Sequence, residues 1–149
     1  LTASDPDGVG AKNAMQLAIN EAGIAPEQID YINTHGTSTP IGDVAEVKAI
    51  HELFGEHAYN INLTSSKSMT GHILGGTGAV EAIISILSMQ YGMVTPTINH
   101  EEGDEDANID YKLNFTFNQP QQRDIQYAMS NNFGFGGHNA SLLFKKLSF

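Results

Sequence analysis

The sequence predicts a layered α/β domain in which helices cover a central sheet. Helical and strand-like segments alternate as far as residue 92, a run of strands follows, and polar loops containing glycine separate them. The chain has 149 residues, the length of one ordinary globular domain. Because no internal repeat or linker is visible, we expect residues 1–149 to form one domain.

The first half of the chain alternates helix and strand. Apolar residues at helical spacing over residues 11–22 predict a helix, and Gly23 supplies a left-handed stop. A strand is expected at residues 29–33. A second helix should cover residues 42–54, with acidic side chains in its first turn, and a short strand should follow at residues 60–64.

The second half begins with a helix and ends in strands. Residues 75–92 predict a helix that is apolar nearly all round, which is typical of a helix buried in the middle of a structure. The acidic residues 101–106 predict a solvated loop. Strands are expected at residues 111–117, 127–130 and 139–144.

The composition argues against several classes of partner. The chain has 17 acidic and 7 basic residues, a formal charge of −10, whereas a nucleic-acid surface needs a basic stripe. Its uncharged stretches are interrupted by Gly92 and Pro96, so no membrane-spanning helix is expected. Without a basic leader followed by an apolar run, we expect a cytoplasmic protein that binds neither nucleic acid nor membrane.

Cysteine is absent from the sequence. This removes disulfides, thiolate metal sites and any catalytic thiol supplied by this chain. The first residue is Leu1, and the residues up to Gly8 have the composition of a loop interior. Two interpretations stay open, a processed terminus and a piece of a longer protein.

Two histidines lie in polar loops that follow predicted strands. His35 is in loop 34–40 and His72 is in loop 65–72, and ligands of α/β sheets bind at the carboxyl ends of strands. The sequence therefore predicts a site at this edge. We assign structural roles to the other histidines, whose spacing resembles no zinc site: His51, His57, His100 and His138.

The charge pattern connects one of these loops to the apolar helix. Between Glu56 and Glu101 the only formally charged residues are Lys67 and Glu81. A carboxylate on a buried helix needs a cationic partner, because an unpaired buried charge is costly. We therefore expect Lys67 and Glu81 to pair beside His72, an arrangement that favours a catalytic role.

The glycine-rich segment 134–137 allows two interpretations. Its glycines permit positive φ and close backbone approach, so free N–H groups could face a ligand. A tight turn between two strands explains the same residues, and the glycine count alone favours the turn. No phosphate-binding loop with its lysine is present.

Three segments together resemble the elongating condensing enzymes, the β-ketoacyl-acyl-carrier-protein synthases of the thiolase-like fold, and most closely the bacterial synthase II type. The segments are residues 33–40 with Asp43 and Glu46, residues 66–72 continuing through residues 78–82, and residues 131–139. The resemblance covers the whole chain but only the C-terminal half of such an enzyme. It implies layered helices on a central mixed sheet, with the nucleophilic cysteine in the other half.

The resemblance implies a decarboxylating Claisen condensation and assigns roles to single residues. His35 and His72 match the two catalytic histidines, Lys67 matches the lysine that orders the site, and Glu81 matches its acidic partner. Two imidazole N–H groups from different loops suit the negative charge that develops on a thioester oxygen.

Further positions match substrate-binding residues of the family. Thr37 and Thr39 correspond to hydroxyls that hold the phosphopantetheine arm, and Phe135, flanked by Gly134 and Gly136, corresponds to the gating residue. Asn132 and His138 depart from the usual serine and threonine. Some members hold a monovalent cation at the positions that are here Asn33, Glu81, Ser130 and Asn139.

The resemblance also implies partners. Acyl carrier protein, in its acyl and malonyl forms, brings the phosphopantetheine, so no resident cofactor is expected, and the full-length protein should be a homodimer. Carrier proteins are acidic, so the basic docking patch should lie largely on the other half. The unit alone should be inactive in condensation, and the apolar face around residues 75–92 should make it self-associate.

Two alternatives stay open. A polyketide ketosynthase shares these motifs, and the acyl chain length that the enzyme prefers is not encoded in them. A non-catalytic partner of the chain-length-factor kind would keep the fold and lack the nucleophile. Intact His35, Lys67 and His72 argue against it, because a binding partner has no need of that set.

Overall fold

Residues 5–147 are described by a computed structural model, and a mixed sheet runs through their centre. The strand order is β2 (Asn62–Thr64), β1 (Tyr31–Asn33), β5 (Tyr127–Gly134) and β6 (His138–Lys145). β1 is parallel to both of its neighbours, and β6 runs antiparallel to β5. The predicted central mixed sheet is confirmed. The expectation for the opening loop at Leu1 falls on residues 1–4, outside the described residues.

The helices lie between the strands, as the alternating pattern predicts. They are α1 (Val9–Ala22), α2 (Pro40–Phe54), the single turn α3 (Lys67–Thr70) and α4 (Thr77–Tyr91). α1 ends at Gly23, whose φ of 65° is the left-handed stop expected there. α3 lies in the segment predicted to be a polar loop, and it places Lys67 at its first residue.

The sheet separates two apolar layers. On one face Ile32 and Met129 pack with Met15 of α1 and Ile50 of α2. On the other face Tyr31 and Ala128 pack with Met89 of α4 and with Val94 and Ile125. β1 and β2 are buried on both faces, as is usual for parallel strands with helices on either side. The strands therefore hold the loops at their carboxyl ends on a rigid base.

The predicted strand at residues 111–117 is wrong. This segment is irregular. An isolated bridge pairs Asn114 with Asn62 of β2, whose amide also donates to the Thr116 hydroxyl at 2.8 Å, and a second isolated bridge pairs Phe117 with Thr97. Thr116 has a φ of 45° and Asn118 a φ of 57°, and positive φ at a β-branched residue is incompatible with an extended strand. The apolar pattern instead reflects aromatic side chains that pack against one another, and Phe115 also packs against the core that α1, α2 and the sheet share.

A short antiparallel pair, β3 (Met93–Val94) with β4 (Gln121–Gln122), closes this irregular region. The acidic residues 101–105 are exposed, as predicted for a solvated loop. Among the residues that the structure describes, no helix has the length and apolar character needed to cross a membrane.

α4 departs from the prediction of a helix that is buried nearly all round. Its buried row is mostly polar and includes Thr77, Glu81, Ser85 and Ser88, while Ile83, Ile86 and Leu87 point outward and are 57%, 46% and 41% exposed. Ile73 and Leu74, just before the helix, are also exposed. The inward face of α4 therefore makes polar contacts, and its outward face is apolar and exposed.

We predict that the 149-residue chain self-associates through the apolar face of α4. Replacing both Ile83 and Leu87 by Gln should shift the sedimentation profile toward monomer, because contiguous exposed apolar surface drives association. Leu17→Gln is the control, since Leu17 is 67% exposed on α1, away from α4. A compact monomer from the unmodified chain would contradict this prediction.

Candidate active site

The polar loops that follow β1 and β2 lie side by side, because these strands are parallel and hydrogen-bonded neighbours. His35 follows β1, and Lys67 follows β2. The side chain of Asn33 ties the two loops together by donating from Nδ2 to the Ser66 hydroxyl at 3.1 Å. His35 and Lys67 therefore both lie at the edge of the sheet where the sequence predicts a site.

Lys67 and Glu81 form a buried ion pair between the loop after β2 and α4. The distance from Lys67 Nζ to Glu81 Oε1 is 2.5 Å, and the side chains are 5% and 1% exposed. The amide of Asn132 donates from Nδ2 to the other carboxylate oxygen, Oε2, at 2.9 Å. The contact expected from the charge pattern is present, and both carboxylate oxygens have donors.

The imidazole of His72 is oriented by the segment that leads into α4. Its Nδ1 accepts the backbone N–H of Leu74 at 3.1 Å and lies 3.0 Å from the Thr77 hydroxyl. That hydroxyl accepts the backbone N–H of Ile73 at 2.8 Å, which leaves its own proton for His72. Because Nδ1 accepts, the neutral ring carries its proton on Nε2 and presents it as a donor.

His35 stands next to His72, with the ring centroids 5.6 Å apart in an edge-to-face arrangement. Burial lowers the pKa of His35 to about 4, and the charges of Lys67 and then of His72 act in the same direction. His35 is therefore neutral at physiological pH. Its Nδ1 is buried and has no hydrogen-bond partner within residues 5–147.

Glu46 is a site residue whose function the sequence reasoning missed. Its side chain lies on the buried face of α2, and its two oxygens accept the backbone N–H groups of His35 and Gly36, both at 2.9 Å. Asn131 adds a donor at 3.1 Å. Burial raises the pKa of Glu46, and these donors oppose the rise. The sequence does contain a signal for this role, because Glu46 is a carboxylate among the apolar residues of α2, as Glu81 is on α4.

The predicted substrate-binding hydroxyls lie at the end of the loop after β1. The hydroxyls of Thr37 and Thr39 are 3.0 Å apart, and Thr39 directly precedes α2. Together with Asp43 they lie near the β1 and β2 loops, where Thr37, Asp43 and Lys67 line a cavity of about 610 Å³. Aromatic side chains of the irregular segment, including Phe117, line the same cavity. Burial raises the pKa of Asp43.

The segment from Gly134 to Gly136 forms the turn of a hairpin, in which Gly134 pairs with His138. Gly136 has a φ of 79°, a conformation that a residue with a Cβ rarely adopts. The Phe135 side chain is 74% exposed. Phe133, on the strand leading to the turn, lies 5.8 Å from His35 between ring centroids. The turn interpretation is confirmed, and Phe133 places this strand beside His35.

The structure does not bring the four predicted cation ligands together. Asn33 and Ser130 are register partners on adjacent strands, and Glu81 contacts that same face through Asn132. Asn139 lies on the opposite face, where a Cβ added to Gly10 of α1 would be 2.4 Å from its Nδ2. The Glu81 oxygens already have donors. These four residues therefore do not form one ligand set, although the buried Ser130 hydroxyl has no partner in the described part of the chain.

The remaining histidines make other contacts: His100 lines the cavity described above, and His138 pairs with Gly134 in the turn. His57 donates to the Ile29 carbonyl at 2.9 Å, His51 lies 3.2 Å from the Tyr59 hydroxyl, and His100 stacks on Phe117. Within residues 5–147, no three His, Cys, Asp or Glu side chains are close enough to hold a metal ion.

Comparisons with known proteins agree with this geometry. The family described as "Beta-ketoacyl synthase, C-terminal domain" matches residues 1–101. A 3-oxoacyl-[acyl-carrier-protein] synthase 2 of Staphylococcus aureus (strain COL) is 51% identical over 98% of this chain, which spans 34% of that protein. The chain thus covers about a third of the length of the curated relatives it matches.

Solved structures give the same fold. A ketosynthase complex with its type II polyketide acyl-carrier protein, AntDE:AntF, superposes with a TM-score of 0.92 at 31% identity, covering 99% of this chain and 35% of that one. A beta-ketoacyl synthase from Burkholderia phymatum gives a TM-score of 0.88 at 38% identity, covering 98% and 34%. The thiolase-like fold expected from the motifs is therefore confirmed.

We predict that Glu46→Gln destabilises the chain by about 1–3 kcal/mol, because an amide can accept at only one of the two N–H-facing positions. Urea unfolding measures the change. Glu52→Gln is the matched control, since Glu52 is on the same helix in an exposed ion pair with Lys12 and should change stability by less than about 1 kcal/mol. Equal effects of the two substitutions would contradict the role assigned to Glu46.

We predict that His35 makes folding less favourable as the pH falls. Its pKa is lowered from 6.5 to about 4 in the folded chain, so between these values the unfolded state binds more protons and unfolding is favoured on acidification. This destabilisation is absent at pH values above the pKa of the unfolded state and is complete below the pKa of the folded state. The slope of unfolding free energy against pH should be smaller in His35→Asn, and identical slopes from pH 4 to 6.5 would refute the prediction.

Proposed function

This chain belongs to the beta-ketoacyl synthase C-terminal domain family, and we propose that it is the histidine-bearing part of a 3-oxoacyl-[acyl-carrier-protein] synthase of fatty acid biosynthesis. Residues 1–149 form the C-terminal domain of that longer parent. The parent is an acyltransferase that extends an acyl chain by decarboxylative condensation with malonyl-carrier protein. Coverage of 34% of the relatives, with no cysteine in this chain, supports a nucleophile located elsewhere in the parent.

The reaction has two bond changes that need stabilisation of an oxyanion. The bond between the malonyl carboxylate and the adjacent carbon breaks, carbon dioxide leaves, and the electron pair forms a thioester enolate. The enolate carbon then attacks the carbonyl of the acyl group held on the parent's cysteine. A new carbon–carbon bond forms, and the cysteine sulfur leaves as a thiolate.

One observation supports the proposal: two imidazoles from different loops lie edge to face, with their ring centroids 5.6 Å apart, and one of them has a defined donor. His72 presents Nε2–H because its Nδ1 accepts from Leu74, and the neighbouring His35 is neutral and partly buried. Donors fixed before the reaction stabilise developing negative charge without reorganisation. A pair of such donors suits the oxygen of the malonyl thioester as it becomes an enolate.

Lys67 acts as the fixed positive charge of the site. Its ammonium is held by Glu81 in a buried pair, and its charge lowers the pKa of His35. In our proposal burial of His35, assisted by the charge of Lys67, keeps this imidazole neutral, and Glu81 keeps the lysine in place. A neutral imidazole carries one N–H group, which can donate a hydrogen bond to the substrate.

The substrate arm approaches along the loop after β1. Thr37 and Thr39 bind the phosphopantetheine chain, and Phe135 with its flanking glycines, Gly134 and Gly136, gates access to the cysteine. The substrate brings the phosphopantetheine, so the parent needs no resident cofactor. The charge of −10 on this chain supports docking of the acidic carrier protein on the remainder of the parent. We further propose that the parent is a cytoplasmic homodimer.

A polyketide ketosynthase is the second candidate, since the AntDE:AntF ketosynthase has the same fold. The 51% identity to a 3-oxoacyl-[acyl-carrier-protein] synthase 2, against 31% to that ketosynthase, favours the first candidate. A chain-length-factor-like subunit is disfavoured, because the Lys67–Glu81 pair and the oriented histidines would have no task in it.

We predict that His72→Ala in the parent lowers the rate of carbon dioxide release from malonyl-carrier protein by about 10²–10³-fold, the usual cost of one oxyanion donor. His51→Gln is the control, because His51 is exposed and the hydrogen bond of its ring in the described residues is with the Tyr59 hydroxyl. The isolated 149-residue chain should not condense acyl and malonyl thioesters. Normal decarboxylation by the His72 variant, or condensation by the chain alone, would overturn the assignment.

A further inference from the structure

We propose that Asn132 is a positioning residue that couples the hairpin turn to the buried Lys67–Glu81 pair. This inference rests on the proposed function, because the pair orders the proposed catalytic site. The coupling runs from the turn along β5 to Asn132, across one hydrogen bond to Glu81, and on to Lys67.

The hydrogen bond from Asn132 to Glu81 is specific, because within the described residues no other side chain donates to Oε2 of Glu81. Oε1 faces Lys67 at 2.5 Å and Oε2 faces Asn132 Nδ2 at 2.9 Å, with Glu81 fully buried. A buried carboxylate oxygen without a donor is costly. The Asn132 amide supplies that donor without adding charge, so the Lys67–Glu81 pair stays electrically balanced.

The space around Asn132 is fitted to its side chain. A Cβ added to Gly78 on α4 would lie 3.3 Å from Asn132 Nδ2, a tighter approach than most such contacts. Gly78 and Glu81 are one helical turn apart, so the amide of Asn132 lies against the first turn of α4. The glycine at position 78 and the asparagine at position 132 therefore fit each other.

The position of Asn132 on its strand gives the contact a consequence for function. Asn132 is paired with Ala140 of β6, and the turn begins at Gly134, the second residue after it. A displacement of the turn is therefore transmitted to the Glu81 carboxylate, and from there to the ammonium of Lys67. Misplacement of a group in a catalytic site by about 1 Å can cost 10²-fold in rate.

The experiment compares Asn132→Asp in the parent protein with a double variant in which the amide and the carboxylate exchange positions. Asn132→Asp places a second carboxylate against Glu81 and removes the donor. The double variant Glu81→Gln, Asn132→Asp restores one carboxylate and one amide, with the two groups exchanged across the same hydrogen bond. Asn20→Asp is the control, since it makes the same charge change on an exposed residue of α1.

Steady-state kinetics of carbon dioxide release give the main readout. We expect Asn132→Asp to lower kcat by about 10²-fold with KM nearly unchanged, the double variant to recover at least tenfold of that loss, and Asn20→Asp to behave as the unmodified protein. The proposal would be overturned if Asn132→Asp had the same kcat as Asn20→Asp. It would also be overturned if the double variant had a kcat no higher than that of Asn132→Asp.

A second readout separates this inference from the proposed function. If the unmodified parent releases no carbon dioxide, the proposed function fails. The Asn132 contact is then tested by urea unfolding of Asn132→Asp, Glu81→Gln and the double variant. Non-additive changes, with the double variant more stable than the sum predicts, support the coupling, and additive changes refute it. If Asn132→Asp does not fold, the same cycle is measured with Asn132→Ala.

Discussion

The ion pair between Lys67 and Glu81 is the contact on which the arrangement of the site depends. It joins the loop after β2 to α4 and is almost completely buried. Removing one partner of such a pair typically costs about 3–5 kcal/mol, because the other charge is left buried and uncompensated. The pair thus fixes where α4 begins relative to the loop, and His72 lies between these two elements.

A second buried carboxylate does the same for the loop after β1. Glu46 holds the backbone of His35 and Gly36 from α2, and Asn131 supports Glu46 from β5. Adjacent residues of one strand therefore serve the two carboxylates, with Asn131 on Glu46 and Asn132 on Glu81. Because successive side chains of a strand point to opposite faces, β5 connects both helical layers to the site.

Much of the fold could be predicted from the sequence, since α1, α2 and the sheet edge follow from periodicity and glycine stops. The Lys67–Glu81 contact could be predicted because no other charges are available nearby. The outward face of α4 could not be assigned from its composition, since an apolar helix gives no sign of which side meets the rest of its own unit. Residues 111–117 look like a strand because aromatic packing needs the same residue types, while positive φ at Thr116 depends on long-range contacts.

The central claim is that the histidines of this chain act on an acyl group carried by another part of the same protein. The direct test is the intact mass of the protein from its native cell, before and after incubation with an acyl-carrier-protein thioester, followed by peptide mapping. The account predicts a chain much heavier than 16.0 kDa, with an acyl adduct on a peptide outside residues 1–149. A 16.0 kDa species without an adduct, or an adduct within residues 1–149, would contradict it.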